Sequence, residues 1–165
     1  MGVDTSDEMI AMAKFITDHE STVSPYFARN LYHSLKEKAK DACRRTQATF
    51  IKANAENTEL PGEQFDLVTV MYAFHEAPRR GRDAILREAR RLLKPSGTLA
   101  VVDISTEYRP SASMLSGEPY VKDYQKEIHS QMRSAPGFDK PVYQNVIPNH
   151  LGMWTLRRTS SLVLP

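Results

Sequence analysis

Between Phe65 and Asp103 the spacing of apolar and polar positions changes three times. Phe65 to Met71 is a short apolar run rich in Val, bounded by Gly62 and by a polar loop at His75, and it predicts a strand. Ile85, Leu86, Ala89, Leu92 and Leu93 then recur at helical spacing, with Arg87, Glu88, Arg90 and Arg91 mainly on the other face. Pro95 and Gly97 are expected to end that helix, since Pro cannot continue it and Gly tolerates positive φ. Leu99 to Val102 is apolar without alternation, as in a strand covered on both faces. Together these form a βαβ unit of a parallel sheet. Ligands of such sheets sit beyond the carboxyl ends of the strands, here Met71 to Glu76 and Asp103 to Thr106.

The flanking pattern adds further elements. Gly2 to Asp4 reads as the end of a strand. Thr5 and Glu8 have capping-box spacing, and Met9, Ile10, Ala13 and Ile16 give the next helix an apolar side. The pattern breaks from Asp18 to Tyr26, with a turn at Ser24-Pro25, and a second helix is predicted over Ala28 to Arg44. Ala48 to Lys52 is another short strand. Ser105 to Gly117 reads as a polar loop, and Pro119 is suited to the first position of a helix carrying Val121, Tyr124, Ile128 and Met132. Val142 to Ile147 and Leu151 to Arg157 flank Pro148-Asn149 and predict an antiparallel hairpin at the sheet edge.

Composition narrows the class without naming it. A chain of 165 residues is expected to form one domain, 1–165, with an ordinary soluble balance of 41% hydrophobic and 25% charged residues. A net charge of +2 is too small to argue for nucleic acid or a membrane. Arg79, Arg80, Arg82, Arg87, Arg90 and Arg91 spread around their helix and are interrupted by Asp83 and Glu88, so a solvated face with local ion pairs is expected. Cys43 stands alone, which excludes an intrachain disulfide and makes a reducing, intracellular and cytoplasmic setting the default. No apolar run is long enough to span a bilayer. The G-x-S-x-G, P-loop and C-x-x-C patterns are absent, against hydrolase, kinase and zinc-module chemistry.

Four segments in order resemble class I S-adenosylmethionine-dependent methyltransferases, especially the ubiquinone and menaquinone C-methyltransferases. They are the opening GVDTSDEMIAMAK, the AEN-with-ELP stretch around Glu56, the FDLV strand with its FHEAP loop, and REARRLLKPSGTLAVVD, in which Ser96 stands for the first Gly of the family's pair. The resemblance implies an α/β, Rossmann-like fold: a mostly parallel sheet with helices on both faces and a C-terminal antiparallel hairpin. It also implies S-adenosyl-L-methionine as cofactor and a small-molecule acceptor. Family members open on a strand leading into a G-x-G-x-G loop. The glycines here are 2, 62, 81, 97, 117, 137 and 152, none closer than fifteen positions to the next. The first strand and its loop are therefore expected to be missing, the domain truncated, and its competence in question.

The resemblance gives Asp4, with Thr5 beside it, the cofactor ribose, because a carboxylate ending a strand can accept from two vicinal hydroxyls; the alternative is a helix N-cap. Met9 resembles the residue that packs on adenine, or is a core methionine. Asn54 and Ala55 resemble the adenine-contacting turn, or simply form a turn. Met71 and Tyr72 are expected to border the cofactor, although Tyr72 also suits the core. His75 and Glu76 stand where an acceptor approaches, His75 as the candidate base because imidazole titrates near neutral pH; a histidine that fixes its own loop has comparable standing. HExxH zinc ligation fails, since position 79 is Arg, and no metal site is expected. Glu118-Pro119-Tyr120 and Tyr124 resemble a segment covering the substrate side, with Tyr120 and Tyr124 as an aromatic wall or as ordinary packing. A missing central strand would leave sheet edges open to a second copy or a partner chain.

Overall fold

The computed structural model describes residues 1–18 and 48–160. The chain divides into two compact units, 1–58 and 59–165. The helix expected over 28–44, and Cys43, lie outside the described residues.

In the first unit β1 (Gly2–Asp4) pairs in parallel with β2 (Phe50–Lys52), Asp4 opposite Lys52. Helix α1 (Asp7–Asp18) follows β1. Its cap falls one residue later than the Thr5–Glu8 spacing predicts. Asp4 Oδ1 accepts from the Ser6 amide at 2.7 Å, and this turn puts Ser6 at the cap, where its Oγ accepts from the Met9 amide at 3.2 Å and donates to Glu8 at 2.8 Å. Thr5 is left exposed.

The second unit carries the predicted βαβ unit and hairpin. Its elements are β3 (Phe65–Met71), α2 (Arg79–Leu92), β4 (Leu93–Ile104), α3 (Ala112–Gly117), α4 (Val121–Arg133), β5 (Val142–Ile147) and β6 (Leu151–Arg157). The sheet order is β3-β4-β6-β5, with β3 parallel to β4 and the last two strands antiparallel. Helix α2 stops earlier than Pro95 and Gly97 suggest. Leu93 is already extended (φ −70°, ψ 141°), and Lys94, just before Pro95, is biased the same way, so the chain passes directly into β4. The ladder then slips between Leu93, opposite Phe65, and Thr98, opposite Leu67; inside that irregularity Ser96 takes a left-handed φ of 63°. Helix α3 lies in the stretch expected to be loop, begun by Ser111, whose Oγ accepts from the Met114 amide at 3.1 Å.

The core gathers Phe74, Leu86, Leu99, Val101, Tyr124, Ile128, Trp154 and Leu156. Arg82 joins it, which corrects the expected solvated arginine face. Its guanidinium donates to Gln131 Oε1 (2.7 Å), to the Ala77 carbonyl (2.8 Å) and to Glu127 Oε2 (2.8 Å), tying α2 to α4. Burial pushes its pKa down and Glu127 opposes that shift. Glu88, also expected on the polar face, is buried and accepts twice from Arg91. Among the described residues no helix is long and apolar enough to cross a membrane.

Candidate functional site

The carboxyl ends of β3 and β4 lie side by side, with Met71 opposite Val102. The next residue of β4, Asp103, is fully buried beneath the loop that follows β3. Four donors converge on its carboxylate. Oδ2 accepts from the amides of Phe74 (2.8 Å) and His75 (3.3 Å), and Oδ1 accepts from His75 Nδ1 (2.5 Å) and the Ile104 amide (2.7 Å). A carboxylate can only accept, so His75 carries its proton on Nδ1 and turns Nε2 the other way. There Nε2 faces Glu118 Oε2 at 3.5 Å and Glu76 Oε1 at 3.8 Å and makes no hydrogen bond among the described residues. Burial opposes charge on this imidazole; the hydrogen bond and charge of Asp103, followed by the charges of Glu118 and Glu76, outweigh it, and the His75 pKa is raised. Among the described residues Glu118 Oε2 is a buried atom without a hydrogen-bond partner.

His75 and Glu76 thus stand together at the mouth of β3, as the sequence predicts. Asp103 and Glu118 complete the cluster; the sequence sets Asp103 at the ligand end of its strand and Glu118 in a segment on the substrate side, but nothing local ties either to His75. Asp103 meets His75 across 28 positions. Tyr124 belongs to the core: it is fully buried, its hydroxyl donates to the Ile104 carbonyl at 2.8 Å, and its ring meets those of His75 and Trp154 edge-on. Burial, then Asp103, drives its pKa far above the usual phenol value. That hydroxyl is already used, so of the two tyrosines only Tyr120, 37% exposed, has surface to offer a ligand. Met71 and Tyr72 are also exposed rather than core; Tyr72 has φ 51°, and its amide donates a hydrogen bond to the Val102 carbonyl at 2.9 Å.

In the first unit Asp4, Thr5, Asn54 and Ala55 cluster at the carboxyl end of the β1–β2 pair. Asp4 Oδ2 has no hydrogen-bond partner among the described residues, since the Ser6 amide takes Oδ1. Asn54 Oδ1 accepts from the Glu56 amide at 2.9 Å, which forms the turn and leaves a lone pair open. Ala55 is exposed. Met9 is 52% exposed, so it is not the core methionine of the alternative reading. An open carboxylate oxygen and an open amide oxygen at one strand end, with an exposed thioether on the helix that follows, are of the kind that suits the ribose and adenine of a nucleoside cofactor.

The profile of the methyltransferase domain family matches residues 15–101. A demethylmenaquinone methyltransferase of Listeria welshimeri is 28% identical over 149 residues, covering 82% of this chain and 62% of the relative. A ubiquinone/menaquinone biosynthesis C-methyltransferase of Shewanella frigidimarina is 36% identical over 58 residues, 35% of this chain and 22% of the relative. The chain thus spans less than two thirds of the length of these curated relatives. Among solved structures, an S-adenosylmethionine-dependent methyltransferase of Methanosarcina mazei superposes with a TM-score of 0.61 at 15% identity, covering 97% of this chain and 82% of the other. The phosphoethanolamine N-methyltransferase 2 of Haemonchus contortus, in complex with S-adenosyl-L-methionine, gives a TM-score of 0.64 at 15% identity over 96% and 43% of the two chains. At these identities the likeness is one of fold, and it is Rossmann-like.

Proposed function

The chain belongs to the methyltransferase domain family of S-adenosylmethionine-dependent enzymes, and on that premise we propose that it passes the cofactor's methyl group to a small-molecule acceptor. The observation that carries the reading is the Asp103–His75 pair, set at the adjoining carboxyl ends of two parallel strands where this class of sheet receives its ligands. When bound, the cofactor supplies a methyl carbon made electrophilic by its sulfonium sulfur.

The chain's own residues hold and orient. Asp4 would accept from the ribose hydroxyls, Asn54 from the adenine amino group, the Ala55 amide would donate to a ring nitrogen, and Met9 would lie on the ring, with Thr5 at the rim. Within the second unit, Met71 and Tyr72 at the end of β3 and Tyr120 before α4 have exposed surface to offer a ligand. If the acceptor atom carries hydrogen, that proton goes to His75 Nε2 and from there to solvent, while Asp103 keeps the ring in the productive tautomer. Glu76 and Glu118 favour the protonated imidazole by their charge.

Because the curated relatives include demethylmenaquinone methyltransferases, reduced demethylmenaquinone is the first acceptor to offer with methyl-labelled cofactor. Label in the quinone supports the reading, and failure of the folded chain to bind S-adenosylhomocysteine would overturn it.

One observation favours a second reading, a non-catalytic domain that acts through a partner. Strand β3 ends the sheet order, and it exposes Leu67 (55%) and Met71 (59%). Such an edge invites pairing with another chain. Light scattering on the eluting protein tests it: a monomer at all concentrations counts against self-pairing.

A further inference from the structure

We propose that His75, Glu76 and Glu118 form a site for one divalent transition-metal ion. The site itself goes beyond methyl transfer and stands whether or not that reading does. One nitrogen and two carboxylate oxygens lie within 4.8 Å of one another. The separations from His75 Nε2, 3.5 Å to Glu118 and 3.8 Å to Glu76, are close to the edge of a tetrahedron about an ion with bonds of about 2.1 Å, which is about 3.4 Å. Glu76, 63% exposed, would turn inward to close the remainder.

Three features of the surroundings point to a cation. First, His75 is nearly buried and its Nδ1 is held by a fully buried carboxylate, so Nε2 is presented in a fixed direction. A carboxylate behind the imidazole is the usual way a metal-binding histidine is oriented. Second, Glu118 Oε2 is buried and unpartnered, and an ion would satisfy it. Third, three carboxylates surround one imidazole, and neither Glu76 nor Glu118 pairs with a lysine or arginine among the described residues.

One imidazole with two carboxylates suits Zn²⁺ or Mn²⁺, and three protein ligands leave a position open for an oxygen from outside, as in catalytic rather than structural sites. With the ion seated, Nε2 is a ligand. An acceptor hydroxyl in the open position would then lose its proton to solvent more readily, so the ion takes over what the free imidazole does; this role, unlike the site, rests on the methyltransferase reading. Local sequence could not reveal the set, because Glu118 comes from the turn before α4.

The test is calorimetric titration of ZnCl₂, and in parallel MnCl₂, into the chelator-stripped 165-residue chain. One ion per chain is expected, at least tenfold weaker in Glu118→Gln, and lost in the Glu76→Gln/Glu118→Gln double variant. Both residues are near the surface, and circular dichroism verifies their fold. Asp103→Asn should weaken the ion ten- to a hundredfold while both glutamates remain. Absence of binding, or binding unchanged in the double variant, overturns the site. S-adenosylhomocysteine titrated into the same samples keeps the questions apart: cofactor binding without metal binding defeats only this inference.

Discussion

Among the described residues Asp4 leaves one carboxylate oxygen without a partner, the oxygen that would take the cofactor ribose. Asp4→Ala should weaken S-adenosylhomocysteine binding by about 1–3 kcal/mol, the value of hydrogen bonds to a charged group, as read by calorimetry. Ser96 is a cost of a different kind: it holds φ 63° where the family has glycine. Ser96→Gly should raise unfolding stability by about 1 kcal/mol in urea denaturation, because glycine enters the left-handed region without a Cβ clash. His129 gives the pH dependence. Burial, helped by the charge of Arg133, lowers its pKa, and Trp154 Nε1 donates to its Nδ1 at 3.2 Å. The folded state therefore favours the neutral ring. That contribution is complete above the unfolded value of 6.5 and is lost as pH falls through the lower folded value. His129→Gln should accordingly show a flatter loss of thermal stability below that pH than the parent chain. At this scale the sequence discloses residues whose chemistry is local. The places of His75 and Asp4 at strand ends are legible because the apolar runs before them are local. The role of Asp103 is not, since it comes from a loop 28 positions away. Tyr124 shows the opposite failure, a helical spacing that cannot tell an aromatic wall from packing.

Among elements, the strands with strong apolar runs are legible nearly to the residue: β3, β5 and β6 fall where the pattern puts them. The failures have local causes. Helix α3 carries no apolar stripe and depends on one serine cap. Helix α2 ends early because Leu93, the residue after its last, is captured by the sheet, opposite Phe65. The polar face of α2 misleads most, since an arginine can be buried when another helix supplies its acceptors. Arg82 is held by Gln131 and Glu127 of α4. Arg82→Met should therefore cost about 3 kcal/mol of unfolding free energy, because it strips a fully buried guanidinium from three acceptors.

For the whole molecule, the family and the Rossmann-like class are legible from the order of four short segments, and the sheet order is not. The last strand, β6, lies between β4 and β5, and such non-local pairing leaves no trace in periodicity. The central claim is that this chain holds a nucleoside cofactor although its 165 residues contain no glycine-rich loop. Calorimetric titration of S-adenosylhomocysteine into the purified chain tests it most directly. One-site micromolar binding, weakened in Asp4→Ala, is the predicted result. A folded chain that takes up no ligand would contradict it.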